Sequence, residues 1–130
     1  MDKEEVKRRV KKDFEPLHDD VLGILLYGSL AAGEDSERSD IDISIVAPVI
    51  DDKIGFSRRI LSNVRDARYD VRVFELMPLY LKAEVVEKGE VIYTKNIFKL
   101  YEYFYYFRKI WDDQKHRQKL SKKEVLQLFG

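Results

Sequence analysis

The spacing of apolar residues divides the chain into helices and strands. Apolar residues recur every three or four positions over residues 2–17, which predicts an amphipathic helix. Residues 21–27 are almost continuously apolar, as is typical of a short buried strand. Residues 40–46 alternate strictly between polar and apolar side chains and predict a second strand, which ends at Pro48.

The next part of the chain continues this order of elements. A helix is predicted over residues 53–65, and an alternating strand over residues 69–76. Pro78 suits the first turn of a further helix that ends at Gly89, and residues 90–94 predict a short strand. Together these elements predict an α+β domain, in which a small central mixed sheet is flanked by helices.

Residues 97–112 predict a long helix that is apolar on most of its sides, and a capping box at Ser121 to Glu124 predicts a last short helix. Spacing places Phe98, Tyr101 and Tyr105 toward the core, which leaves Phe104 and Phe107 on other faces. Burial on all sides is difficult in a small domain. Residues 98–111 are therefore predicted to form a homo- or hetero-oligomer contact, since aromatic side chains are enriched at interfaces.

Composition narrows the functional classes. The 130 residues include 24 Lys and Arg and 24 Asp and Glu, so the formal net charge is zero, which argues against stable, non-specific nucleic-acid binding. The lack of cysteine excludes a disulfide scaffold, a thiolate zinc site and a thiol nucleophile. No apolar run is long enough to span a membrane, and the charged N-terminus is unlike a signal peptide, so a cytoplasmic location is expected.

One segment has the residue types of a phosphate and metal site. Gly28 ends a predicted strand, where the lack of a side chain lets a ligand approach the backbone, and Ser29 begins a probable helical turn suited to phosphate oxygens. A dozen residues later, Asp40 and Asp42 share one face of a strand. Two adjacent carboxylates favour a hard divalent cation such as Mg²⁺, which binds through carboxylates and substrate phosphates.

A third carboxylate is predicted on the next strand. In residues 69–76, alternation places Asp70 and Arg72 on one face and Val71 and Val73 on the other. Glu75 has the opposite parity to Asp70 and is expected to point away. Asp70 is therefore the better candidate for a two-metal site.

Read together, these residues resemble the nucleotidyltransferase superfamily related to DNA polymerase β, and most closely its minimal nucleotidyltransferase (MNT) branch. The family pattern is Gly-Ser, a helical turn with a further Gly, then Ser-Asp-x-Asp, and an Asp on a later strand. Here it reads Gly28-Ser29 with Gly33, then Ser39-Asp40-Ile41-Asp42, and Asp70. The resemblance implies the polymerase β palm-like fold over residues 1–97, with residues 98–130 as a C-terminal helical extension of the same globular unit.

The resemblance also implies roles for these residues. Gly28, Ser29 and Ser39 would bind the nucleotide and its phosphates, while Asp40, Asp42 and Asp70 would be catalytic and would ligate two Mg²⁺ ions. Many relatives carry Arg at the positions of Leu30 and Ala32, where this chain is apolar. Arg38 or Arg72 would be the compensating cation, although an Arg beside acidic residues is more often an ion-pair partner.

Three functions follow from the resemblance. The first is Mg²⁺-dependent transfer of a nucleoside monophosphate, AMP from ATP, to a hydroxyl, such as a tyrosine of a HEPN-domain toxin for which this chain would be the antitoxin. The second is a catalytically weak binding module that neutralises a partner through the aromatic surface. The third is a small-molecule transferase of the aminoglycoside-modifying kind.

Overall fold

Four strands form a single mixed sheet in the part of the chain that the structure describes. The structure is a computed structural model that describes residues 2–34 and 40–129, and from residue 116 onward only the backbone. The strands are β1 (Gly23–Tyr27), β2 (Ile41–Val46), β3 (Tyr69–Val73) and β4 (Glu90–Thr94), and their spatial order is β3-β2-β1-β4. Strand β1 runs antiparallel to both its neighbours, whereas β2 and β3 are parallel.

Helices cover both faces of this sheet, which confirms the predicted α+β architecture. They are α1 (Lys3–Asp13), the single-turn α2 (Gly28–Ala31), α3 (Lys53–Asn63), α4 (Leu79–Lys88) and α5 (Ile97–Phe129). The crossover through α3 makes the parallel pairing of β2 with β3 possible, since a tight hairpin joins only antiparallel strands.

The first core lies between the sheet and helices α1 and α3. The stripe that predicted α1 is buried there, with Val6 and Val10 almost fully enclosed. Every second residue of β2 enters this core, as strand alternation requires. These inward residues are Ile41, Ile43 and Ile45.

The second core lies on the opposite face, between the sheet and helices α4 and α5. It contains Leu25 of β1, Phe74 after β3, and Leu100 and Phe104 of α5. The Oγ of Ser44, on the same face, donates a hydrogen bond to the sulfur of Met77 at 3.4 Å, so this buried hydroxyl has a partner.

Several element boundaries differ from the prediction. The first helix ends at Asp13, and a 3₁₀ turn with Pro16 follows at Glu15–Leu17, because proline cannot continue an α-helical hydrogen-bond ladder. The third strand stops at Val73 and turns into a 3₁₀ helix at Phe74–Leu76. The parity assigned to Glu75 was therefore wrong.

The inner face of α5 was also predicted wrongly. Phe98, Tyr101 and Tyr105 are 58 to 81% exposed, whereas Phe104 is only 4% exposed. The ring centroids of Phe104 and Phe107 lie 5.5 and 5.6 Å from that of Phe74. When aromatic residues surround a helix, spacing alone does not show which side faces the sheet.

Helix α5 continues through residues 121–124, so the expected separate last helix is absent from the described backbone. Residues 97–129 contain neither Gly nor Pro, the two residues that most often interrupt a helix. Within the described residues, no helix has the length and apolar character needed to cross a membrane.

Candidate active site

Three side chains from three adjacent strands stand in one row across the sheet. Tyr27 of β1 is paired with Asp42 of β2, and Asp42 is paired with Asp70 of β3. Residues paired directly across neighbouring strands project on the same face, about 5 Å apart. The row lies on the face that α4 and α5 cover, because the alternating residues of β2 and β3 fill the opposite core.

The backbone of Gly28 closes one end of this row. Gly28 has a φ of +77°, a conformation that side chains disfavour, and a Cβ added there would collide with the Oδ2 of Asp42. Gly28 also begins α2 directly after Tyr27. The glycine is thus required both by the turn and by the close approach of the backbone to the Asp42 carboxylate.

Electrostatics make Asp42 the most perturbed carboxylate of the described site. Burial, and then the negative charges of Asp70 and Asp40, raise the pKa of Asp42 to about 6, while Arg72 acts in the opposite direction. A more distant contribution comes from Glu84 of α4. Strongly shifted ionisable groups are typical of functional sites. A bound cation would relieve the repulsion among Asp42, Asp70 and Asp40.

The other predicted site residues lie around the row, with one exception. Asp40 is exposed and immediately precedes β2, close enough to raise the pKa of Asp42. Ser29 is half-buried in the first turn of α2, next to Gly28. Ser39, like Arg38, falls outside the residues that the structure describes.

Arg72 lies beside Asp70, as the parity of β3 predicts. Its Nε is 3.7 Å from the Oδ1 of Asp70, and both side chains are nearly half exposed. That separation is an ion pair rather than a hydrogen bond. Glu75, by contrast, has a structural role. Its two carboxylate oxygens accept hydrogen bonds from the backbone N–H of Ala47 at 2.9 Å and from the hydroxyl of Tyr103 at 2.8 Å.

The chemistry of the carboxylates fits a hard divalent cation. Asp42 and Asp70 lie side by side on one face of the sheet, and Asp40 is close enough to raise the pKa of Asp42. Carboxylate oxygens of this kind are the ligands that Mg²⁺ prefers. Within the described residues, no three His, Cys, Asp or Glu side chains are already drawn together as a metal site. Asp40, Asp42 and Asp70 are the candidate ligands, and the pairing of Asp42 with Asp70 brings two of them to neighbouring positions.

Sequence reasoning missed Tyr27 and Glu84. Burial raises the pKa of Tyr27 to about 12, with Asp42 as the next largest cause, so its phenol is a neutral group beside the carboxylates. The signal for Tyr27 was available, since it is the last residue of the strand that leads into Gly28-Ser29. Glu84 carries no such signal, because only the packing of α4 brings it near the row.

Comparison with known proteins identifies the family. A family model described as polymerase beta, nucleotidyltransferase matches residues 9–98, which include the whole row and Gly28. The chain belongs to this nucleotidyltransferase family. The resemblance carried by Gly28-Ser29 and the spaced aspartates is thereby confirmed.

A relative of this nucleotidyltransferase is found in Methanocaldococcus jannaschii. That chain, provisionally named a protein adenylyltransferase, is 43% identical over 101 residues, which are 75% of each chain.

Solved structures share the nucleotidyltransferase fold. A toxin–antitoxin structure with AMP-PNP aligns with a TM-score of 0.66 at 18% identity, over 92% of this chain and 98% of the other. The complex of the tri-AMPylated Shewanella oneidensis HEPN toxin with its MNT antitoxin gives a TM-score of 0.63 at 15% identity, over 92% of this chain and 95% of the other. At these identities the likeness shows the fold alone.

Proposed function

We propose that this nucleotidyltransferase transfers AMP from ATP to a hydroxyl group of a partner protein in a reaction that requires Mg²⁺. The observation that carries the proposal is the pairing of Asp42 with Asp70 next to the backbone of Gly28. The relative named as a protein adenylyltransferase supports AMP as the transferred group and a protein as the acceptor. The use of ATP favours a cytoplasmic location.

Each residue of the site has a part in this chemistry. Asp40, Asp42 and Asp70 would hold two Mg²⁺ ions, which when bound would stabilise negative charge on the reacting phosphate and on the departing pyrophosphate. The backbone of Gly28, with Ser29 and Ser39, would bind the phosphates that leave. Asp70 would lie nearest to the acceptor hydroxyl and accept its proton. The bond from the acceptor oxygen to the α-phosphorus forms as the bond from that phosphorus to the bridging oxygen breaks.

The acceptor we propose is a tyrosine of a HEPN-type toxin, with this chain as the antitoxin. The support is the solved complex in which an MNT antitoxin of the same fold accompanies an AMPylated HEPN toxin. A small-molecule acceptor of the aminoglycoside kind is the less favoured alternative, because α4 and α5, which follow β3, already cover this face of the sheet.

Mass spectrometry of the partner tests this function. A HEPN-type protein from the same organism would be incubated with ATP, Mg²⁺ and the wild-type chain, and its peptides searched for a tyrosine that carries AMP. Asp42→Asn and Asp70→Asn should each abolish the modification. Asp51→Asn is the matched control, since Asp51 is exposed and lies in the turn before α3. Modification that persists in both site variants would rule out this mechanism.

A second candidate function is neutralisation by binding alone, and the exposed aromatic surface of α5 favours it. That surface consists of large side chains that are 55 to 81% exposed, namely Phe98, Tyr101, Tyr105, Tyr106 and Ile110. Exposed apolar patches of this kind mark interaction sites. Phe104 and Phe107 are unsuitable for testing this surface, because they pack against Phe74 in the second core.

Substitutions on that surface separate binding from catalysis. If the chain acts by binding alone, Tyr105→Asp with Tyr106→Asp should release the partner, while Asp42→Asn should still neutralise it. If transfer is the function, Asp42→Asn should fail to neutralise the toxin although the complex still forms. Pull-down of the partner, together with growth of cells that express both proteins, distinguishes the two.

A further inference from the structure

Arg72 is a partly exposed cation beside the carboxylates of the site, and its ion pair with Asp70 uses only part of its guanidinium. The Nε of Arg72 lies 3.7 Å from the Oδ1 of Asp70. The two terminal nitrogens of the guanidinium have no partner among the residues that the structure describes. The side chain of Arg72 is 46% exposed, so a ligand in solution can reach it. Arginine binds phosphate well because its planar fork donates two parallel hydrogen bonds.

Acidic side chains outnumber basic ones at the site, and Arg72 is the basic side chain that the structure places there. Asp40, Asp42 and Asp70 bring three carboxyl groups to this edge of the sheet, and Arg72 is the basic side chain that forms an ion pair with one of them in the described structure. Helix α2 contributes no cation, since Leu30 is buried in the first core and Ala32 has only a methyl group. Among the residues that the structure describes, Arg72 is therefore the positively charged side chain that a polyphosphate would meet on the β3 side of the row.

Arg72 and Gly28 lie at opposite corners of the row. Arg72 is level with Ser44 of β2, one pleat below Asp70, whereas Gly28 follows Tyr27 above the other end. The two backbones are separated by two strands, about 10 Å, and by three residues along the strands, again about 10 Å. The guanidinium of Arg72 reaches back to Asp70, on the β3 side of the row, whereas Ser29 follows Gly28 on the β1 side. We therefore assign Arg72 and Ser29 to different phosphates.

We propose, on the basis of the nucleotidyl transfer proposed above, that Arg72 binds the α-phosphate, the group that is transferred, while Gly28 and Ser29 bind the phosphates that leave. The α-phosphate must lie over Asp42 and Asp70 for the acceptor to attack it there, and Arg72 is the cation beside that pair. Negative charge that builds on the α-phosphate oxygens during attack would then face a fixed guanidinium.

Binding of nucleotide fragments tests this division of the phosphates without any acceptor. Isothermal titration calorimetry in Mg²⁺ would measure AMP, pyrophosphate and AMP-PNP with the wild-type chain, Arg72→Gln and Ser29→Ala. Arg72→Gln should lower the affinities for AMP and AMP-PNP by about tenfold, since a charge-assisted hydrogen bond is lost, and should leave the affinity for pyrophosphate unchanged. Ser29→Ala should weaken pyrophosphate and AMP-PNP and leave AMP unchanged.

Two further variants control for charge and folding. Arg72→Lys should retain part of the AMP affinity, because it keeps the charge and loses the fork. Arg58→Gln removes an exposed arginine from α3, on the other face of the sheet, and should change none of the three affinities. Thermal unfolding of Arg72→Gln should match that of Arg58→Gln, which separates a lost contact from a misfolded chain.

The outcomes that overturn the role of Arg72 are distinct. If Arg72→Gln leaves all three affinities unchanged, Arg72 is only the ion-pair partner of Asp70. If Arg72→Gln weakens the binding of pyrophosphate as much as that of AMP, Arg72 does not select the α-phosphate, and if it weakens pyrophosphate alone, Arg72 binds the leaving phosphates instead. Wild-type chain that binds none of the three ligands would overturn the proposed nucleotidyl transfer itself, and the role of Arg72 with it.

Discussion

Asp42 of β2 and Asp70 of β3 are paired directly across two parallel strands, so their carboxylates share one face of the sheet. Burial, together with the charges of Asp70 and Asp40, raises the pKa of Asp42 to about 6. Without a cation, ionised Asp42 is therefore less favourable in the folded chain than in the unfolded one. The fold tolerates this repulsion at the place where the proposed function requires a metal.

Asp42→Asn should stabilise the metal-free protein at pH 7. The pKa of Asp42 is about 3.8 when unfolded and about 6 when folded, so the unfolded chain releases its proton first. The cost of the charge is therefore absent well below pH 3.8, grows as the pH rises, and is complete above about pH 6. Because solvent screens this partly exposed group, we expect a gain of only about 1 kcal/mol.

Urea denaturation in EDTA at pH 4 and pH 7 measures that gain. The variant should exceed the wild type in free energy of unfolding at pH 7 and by a much smaller amount at pH 4, while Asp51→Asn should differ at neither. A gain of the same size at both pH values would show that the cause is something other than the charge of Asp42.

Gly28→Ala should damage the site more than Gly33→Ala does. Both glycines have a positive φ, of 77° and 80°, so each substitution should cost about 1 to 2 kcal/mol of backbone strain. A Cβ at residue 28 would also meet the Asp42 carboxylate, whereas one at residue 33 would meet no atom within 4 Å in the described structure. Gly33 is therefore a matched control for the contact.

The comparison needs two measurements on each variant, the free energy of unfolding and the affinity for Mg²⁺ with AMP-PNP. Gly28→Ala should be the less stable of the two and should lose nucleotide affinity. If both alanine variants behaved alike in both measurements, the close approach of the Gly28 backbone to Asp42 would have no energetic consequence.

Adjacent aromatic residues of α5 should differ sharply in their contribution to stability. Phe104 is 4% exposed and its ring contacts that of Phe74, so Phe104→Ala should lower the free energy of unfolding by about 3 kcal/mol or more. Tyr105 is 60% exposed, and Tyr105→Ala should change the free energy of unfolding by less than about 0.5 kcal/mol. Urea denaturation of the two variants checks this, and similar losses would mean that α5 presents another face to the sheet.

The hydrogen bond from Tyr103 to Glu75 should stabilise the docking of α5. Tyr103→Phe removes only the hydroxyl, which donates to the Oε2 of Glu75 at 2.8 Å, and should cost about 1 to 2 kcal/mol because the acceptor is charged. Tyr101→Phe, at an exposed position of the same helix, should cost almost nothing. Equal losses for the two variants in thermal unfolding would contradict the contribution assigned to this bond.

The sequence predicted the central strands and their polar face well, because alternation of side chains is a local property. The parity that grouped Asp70 with Arg72 holds in the structure, with β3 ending at Val73 rather than at residue 76. The shorter strand reflects a non-local contact, since Glu75 turns to bond the backbone of Ala47. The pairing of Asp42 with Asp70 likewise depends on the crossover through α3, which alternation does not specify.

Helices were harder to orient than strands. In α3, the apolar residues Ile54 and Leu61 are more than half exposed, while Phe56 and Ile60 are buried. An apolar residue on a helix fits the core only if the neighbouring elements reach it, and periodicity alone does not contain that information. The same reason explains why the inner face of α5 was predicted wrongly and why Glu84 was not predicted near the site.

Transfer of label from two differently labelled forms of ATP tests the central claim most directly. With the partner protein and Mg²⁺, the account predicts that α-labelled ATP labels the partner, and that γ-labelled ATP releases its label as pyrophosphate. Asp42→Asn, Asp70→Asn or EDTA should each stop the labelling. Labelling of the partner by γ-labelled ATP, or labelling by α-labelled ATP that both aspartate variants retain, would contradict nucleotidyl transfer at the Asp42–Asp70 pair.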